Sequence, residues 1–151
     1  MTAVLIGIGL TLSALVVQGL ATALSFQAVG ALLARRAVGT SVWRNGLATV
    51  MLIMILWTGH LAQMTVWAVV FVTVGEFEMF AQAIYHSAVN YTTLGYGDIV
   101  MSPQWRLLGP QEAACGMLAF GWSTAAIVTI VIRLVRIRHR SEERDRATVT
   151  S

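Results

Sequence analysis

Lysine is missing altogether; all ten basic residues are arginine. Charge of either sign is scarce, at 11% of 151 residues, where a typical soluble domain carries about 25%. With 57% apolar residues and a mean hydropathy of +0.73, the composition excludes an ordinary soluble domain and describes an integral membrane protein. Cysteine occurs once, at Cys115, so no disulfide can close within the chain. His60, His86 and His139 are far apart and have no ligand spacing, so the sequence offers no metal site. The Gly7–Gly9 pair lacks the strand and third glycine of a dinucleotide fingerprint. No nucleophile–base set is present, which leaves an enzyme without support.

What charge there is has a clear placement. Nine of the ten arginines fall in two clusters, Arg35, Arg36 and Arg44, then Arg133, Arg136, Arg138, Arg140, Arg144 and Arg146. Both sit at the ends of apolar runs, which is a topology signal and not a nucleic-acid footprint. From Met1 to Ala34 there is no charged side chain, and about 20 apolar residues suffice to span a bilayer. A cleaved signal peptide would need a basic start, whereas the first arginine follows this run. Gly19 with Ala23, and Gly30 with Ala34, have the small-residue spacing that permits close helix approach. Residues 35–45 read as a basic loop. A second spanning helix is expected over 46–74, broken by Gly75 and followed by Glu76 and Glu78. Residues 78–91 are semi-apolar and too short to span. Pro103 marks a return loop, and a third spanning helix is expected over 109–135, with Pro110 at a permitted first-turn position. A charged tail, 136–151, either a solvated helical extension of the third span or a segment at the lipid heads, contains Glu142 and Arg146 at favourable i,i+4 spacing.

Between the second and third runs lies Tyr91-Thr92-Thr93-Leu94-Gly95-Tyr96-Gly97-Asp98. In a soluble protein such a string would read as a glycine-rich turn ending in Asp; the apolar flanks argue against that here. The string resembles the selectivity-filter signature of the potassium channel superfamily, Thr-x-Gly-Tyr-Gly-Asp. The longer stretch from Tyr85 to Ile99 looks like the pore of small bacterial members, with Leu94 where the family more often has Val or Ile.

The resemblance covers 46–135. It implies an all-α membrane protein with three transmembrane helices, a re-entrant pore helix (78–91) and a filter (92–98). Four copies would assemble as a homotetramer that passes K+ without a chemical reaction, a soluble cofactor or a soluble substrate. Thr93, Leu94, Gly95 and Tyr96 would coordinate K+; Thr92, Gly97, Asp98, Tyr85, His86 and Glu112 would support the filter. Relatives with an acid four residues before the last filter threonine have Val89 as their counterpart here. The arginine clusters put the 35–45 loop and the tail in the cytoplasm, with the N-terminus and filter mouth outside the cell membrane, and the tail near anionic lipid heads. The first helix lacks the periodic arginines of a voltage sensor.

Other residues carry open readings. His60 and Gln63 are polar groups within a span, where function or interhelical bonding explains them. Glu112 either bonds behind the filter or pairs with Arg106. Gly116 and Gly121 are hinges or close-packing points. Gly116, Phe120, Thr124, Val128 and Ile132, spaced by four, form a stripe that lines the pore and gates it, or packs on the second helix. A weakly selective cation channel and a non-conducting membrane scaffold are the competing functions.

Overall fold

The computed structural model describes residues 1–35, 38 and 41–149. Arg36, Ser151 and the side chains of Arg144 and Asp145 lie outside the described residues. Among the described residues all regular structure is helical: α1 (Thr2–Ala34), α2 (Val42–Thr73), α3 (Phe80–Tyr91) and α4 (Leu108–Val149). Among the described residues three helices are long and apolar enough to cross a membrane, Thr2–Ala34, Val42–Thr73 and Leu108–Glu143, so this is a multi-pass membrane protein. The 12 residues of α3 reach only about 18 Å at 1.5 Å per residue, well short of a bilayer core of about 30 Å.

One helix start differs from the sequence expectation. The second helix begins at Val42 and takes Arg44 into its first turn. Ser41, a favoured N-cap residue, accepts the first helical bond from Asn45 N–H at 3.0 Å. The last helix continues through the tail to Val149. There Arg138 pairs with Glu142 at 2.7 Å, an i,i+4 pair that supports an exposed helix. Gly75 ends α2 as expected, at φ 80°. Its N–H bonds the Val72 carbonyl and that of Glu76 bonds Phe71, so two orphan carbonyls are satisfied by a Schellman arrangement.

The chain divides into two compact units. The first comprises Met1–Leu20 and Thr58–Trp122. Its core joins Ala3, Leu10 and Ala14 of α1 to Trp67, Ala68 and Phe71 of α2, Ala83 of α3, and Leu108 and Cys115 of α4. Glu76 accepts hydrogen bonds from the Ser102 amide and hydroxyl, which ties the two loops flanking α3 together. The second unit comprises Ala21–Trp57 and the chain from Ser123 on. Its core is aliphatic: Ala21 and Val29, Ala48, Leu52 and Leu56, Ile130 and Leu134. Hydrocarbon is as apolar as leucine, so helix association within a bilayer depends on close packing and interhelical hydrogen bonds. The small residues Ala14, Ala21 and Ala48 at these contacts fit that requirement.

Candidate functional site

The end of α3 runs directly into an exposed segment, 92–98. Four successive amides fold back onto the helix. Thr92 N–H donates to Ala88 O at 3.1 Å, Thr93 N–H to Asn90 O at 2.8 Å, and Leu94 and Gly95 N–H to Val89 O at 3.0 and 3.3 Å. These bonds satisfy carbonyls that every helix end leaves orphaned. Among the described residues, the carbonyls of Thr93, Leu94, Gly95 and Tyr96 accept no hydrogen bond. Positive φ recurs at every second residue: 60° at Thr93, 60° at Gly95 and 72° at Gly97. Glycine takes such angles freely; at Thr93 they cost about 1–2 kcal/mol. Alternating the sign of φ turns successive carbonyls toward one side of the chain. The segment therefore offers a row of neutral carbonyl oxygens, Thr93 to Tyr96, to which no donor among the described residues is bonded.

The next layer holds this segment from α3. Tyr85 donates its hydroxyl hydrogen to Asp98 Oδ2 at 2.7 Å. Asn90 Nδ2 bonds His86 Nε2 at 2.9 Å. An amide nitrogen can only donate, so Nε2 accepts and the ring is neutral, leaving Nδ1–H to bond the backbone of Ile99. His86 also packs against Phe71 and Phe77, with ring centroids at 5.6 and 5.1 Å. Burial there lowers its pKa from the ordinary 6.5, partly opposed by the Ile99 bond and the charges of Asp98 and Glu76. Glu112, fully buried, bonds Ser87 across the α3–α4 contact rather than Arg106. Ser87 Oγ lies 2.5 Å from Glu112 Oε1 and 2.8 Å from the Met64 carbonyl oxygen, which links α4, α3 and α2. Among the described residues Glu112 Oε2 makes no hydrogen bond of standard geometry, and Asn90 is the other polar side chain that interacts with the carboxyl.

A family model described as ion channel matches residues 50–133. That span contains α3, the carbonyl row, its braces and most of the two flanking apolar helices. The chain belongs to the ion channel family. The potassium-channel-type resemblance of the 91–98 string points the same way. No curated protein and no solved structure matched.

In this ion channel chain the fourfold-spaced row on α4 does not stay on one face. Four residues turn a helix about 40° past a full turn, so such a row drifts. Gly116 is buried against the Tyr91 backbone. Phe120 is half-buried, its ring 4.5 Å from that of His60 and 5.6 Å from that of Tyr91. Thr124, Val128 and Ile132 are exposed. His60 bonds the Tyr91 hydroxyl at 3.0 Å. Sequence reasoning overlooked Gln18, Ser87 and Tyr91, all buried and all bonded between helices. For Gln18 the signal was available: a polar side chain in the middle of an uncharged span needs a partner.

Proposed function

We propose that four copies of this chain form a potassium-selective pore, with α3 as a re-entrant pore helix and residues 92–98 as the filter. The carbonyl row carries the reading. The amides of Thr93, Leu94 and Gly95 are committed to α3 and the φ angles alternate in sign, which leaves the carbonyls of Thr93, Leu94, Gly95 and Tyr96 as K+ ligands. Rings of such oxygens from four loops replace the water shell of K+. One chain supplies one loop, hence a homotetramer. Leu94 and Tyr96 are 54% and 67% exposed in a single chain, which supports neighbours that cover them. Gly97 shapes the outer end, and the Asp98 carboxylate concentrates cations at the mouth. The exposed Thr124, Val128 and Ile132 of α4 line the inner pathway, where apolar side chains can gate by dewetting. The arginine-rich ends at Arg44 and Arg133–Arg140 face the cytoplasm, with the N-terminus and filter mouth outside the cell membrane.

The test is the reversal potential of purified protein in a planar bilayer with K+ on one side and Na+ on the other. A value near the K+ equilibrium potential, lost in Gly95→Ala, is the expected result. A value near zero establishes a weakly selective cation pore instead. Silence of both full-length protein and a variant truncated after Arg136 points to a scaffold.

A further inference from the structure

Two spanning helices, α2 and α4, meet on one side chain, that of Tyr91, and α1 reaches it through Gln63. Tyr91 is fully buried and is the last residue of α3, immediately before the filter. Its hydroxyl donates to Gln63 Oε1 of α2 at 2.7 Å. Gln63 Nε2 in turn donates to Gln18 Oε1 of α1 at 3.0 Å. The single hydroxyl hydrogen of Tyr91 is spent on Gln63, so His60 Nδ1, at 3.0 Å, is the donor to the Tyr91 oxygen. The Tyr91 ring meets Phe120 of α4 edge-on, and its carbonyl lies against Gly116.

An apolar helix needs no glutamine to sit in lipid. Gln18 is 1% exposed and Gln63 likewise, so both amides are held inside the protein, where an unmade bond would cost several kcal/mol in hydrocarbon. We propose that Gln18 and Gln63 are positioning residues for the filter: through Tyr91 they let α1 set where the pore helix ends. This rests on the selective-channel reading above. A site that works by geometry must be held within about 0.5 Å. The amides of Thr92 to Gly95 bond back to the turn of α3 that ends in Tyr91, so a shift of its ring moves the whole carbonyl row. The extra N-terminal helix is then a working part of the pore.

The variants are Gln18→Met, which keeps length and packing but removes the polar group, Tyr91→Phe, which removes only the hydroxyl, and the two combined. Liposome flux is measured against K+ concentration. Each single variant is expected to raise the K+ concentration for half-maximal sustained flux by about three- to twenty-fold, the factor that one membrane hydrogen bond of about 0.6–1.7 kcal/mol converts to. The double variant is expected to add nothing further, because the chain is already broken. Wild-type K+ dependence in Gln18→Met, or additive effects in the double variant, overturns the proposal. So does a loss of tetramer thermal stability with K+ dependence unchanged, which is the mark of a merely structural role. Should the wild type prove unselective, the functional reading fails separately. Hydrogen exchange at the amides of Thr92 to Gly95 then decides: faster exchange in Gln18→Met upholds the coupling, and unchanged exchange ends it.

Discussion

The Cα of Gly116 on α4 faces the carbonyl oxygen of Tyr91 so closely that a methyl group there would collide with it. The obstacle is backbone, which cannot swing aside as a flexible side chain can. Gly116 is thus a packing glycine at the point where α4 passes the end of α3. Gly121, by contrast, has open space around it. Gly116→Ala is expected to destabilise the purified protein by about 1–3 kcal/mol, the usual range for overpacking, and to abolish sustained flux by displacing Tyr91. Gly121→Ala is expected to be neutral, or to stabilise by up to ~1 kcal/mol through helix propensity. Thermal unfolding in detergent and K+ flux, measured side by side, check both; equal effects would contradict the packing assignment.

Ser87 has one hydroxyl hydrogen and two oxygen neighbours, Glu112 Oε1 and the Met64 carbonyl. An amide at position 112 can donate to Ser87 Oγ and leave the hydroxyl hydrogen for Met64. Glu112→Gln is therefore expected to fold and assemble with near wild-type stability. Ser87→Ala strips the buried carboxyl of its short hydrogen bond and is expected to cost about 1–3 kcal/mol, the penalty of an unsatisfied buried polar group. Denaturant unfolding checks the order; Glu112→Gln as the more damaging variant would be the contrary result.

Most of the helical layout was legible because a bilayer imposes one coarse rule: uncharged runs of sufficient length cross it. The three spans and the short helix before Thr92 follow from the spacing of charges and from Gly75. The start of α2 at Val42 was not legible, since Trp43, Arg44 and Asn45 look like loop by composition, and Ser41 as a cap shows itself only once the helix is drawn. The carbonyl row could be read from Gly95 and Gly97, whose freedom at positive φ is a property of the residue. The braces were less visible. Gln18 and Tyr91 lie far apart in sequence, and only the packing of α1, α2 and α3 makes them ends of one chain of bonds. The α4 row spans more than one environment for a geometrical reason: a spacing of four drifts about 40° per step, so Gly116 is buried and Ile132 exposed.

His86 supplies a pH dependence with a definite sign. Its pKa is lowered on folding, chiefly by burial beside Phe71 and Phe77. The folded protein then binds fewer protons at this site than the unfolded chain does. Its contribution to stability is complete above the ordinary value of 6.5 and is lost as pH falls below it. A proton on Nε2 would also oppose the Asn90 amide, so the charged ring loses that bond. Unfolding measured from about pH 7.5 to about pH 5 is expected to show a decline that is smaller in His86→Gln. An unchanged slope would remove His86 as its source.

Tyr85 and Asp98 offer a way to separate mechanical from electrostatic roles at the mouth of the proposed filter. Their hydrogen bond, 2.7 Å long, ties α3 to the far end of segment 92–98. It also pushes the Tyr85 phenol above its ordinary pKa of 10.0, so the donor keeps its hydrogen at neutral pH. Tyr85→Phe removes the tie and leaves the Asp98 charge in place. Asp98→Asn removes the charge and keeps an oxygen that can still accept. The bond is exposed, so neither variant is expected to change thermal stability appreciably. Tyr85→Phe should shorten sustained flux when outer K+ is low, while single-channel conductance at low ionic strength stays at the wild-type value. Asp98→Asn should lower that conductance, and the deficit should shrink as salt rises, because a surface charge acts within a Debye length of about 10 Å at 0.1 M. Recordings over a range of salt concentrations distinguish the two. A salt-dependent conductance loss in Tyr85→Phe would mean that the tyrosine works by holding the charge in position, and the brace and the charge would then be a single device.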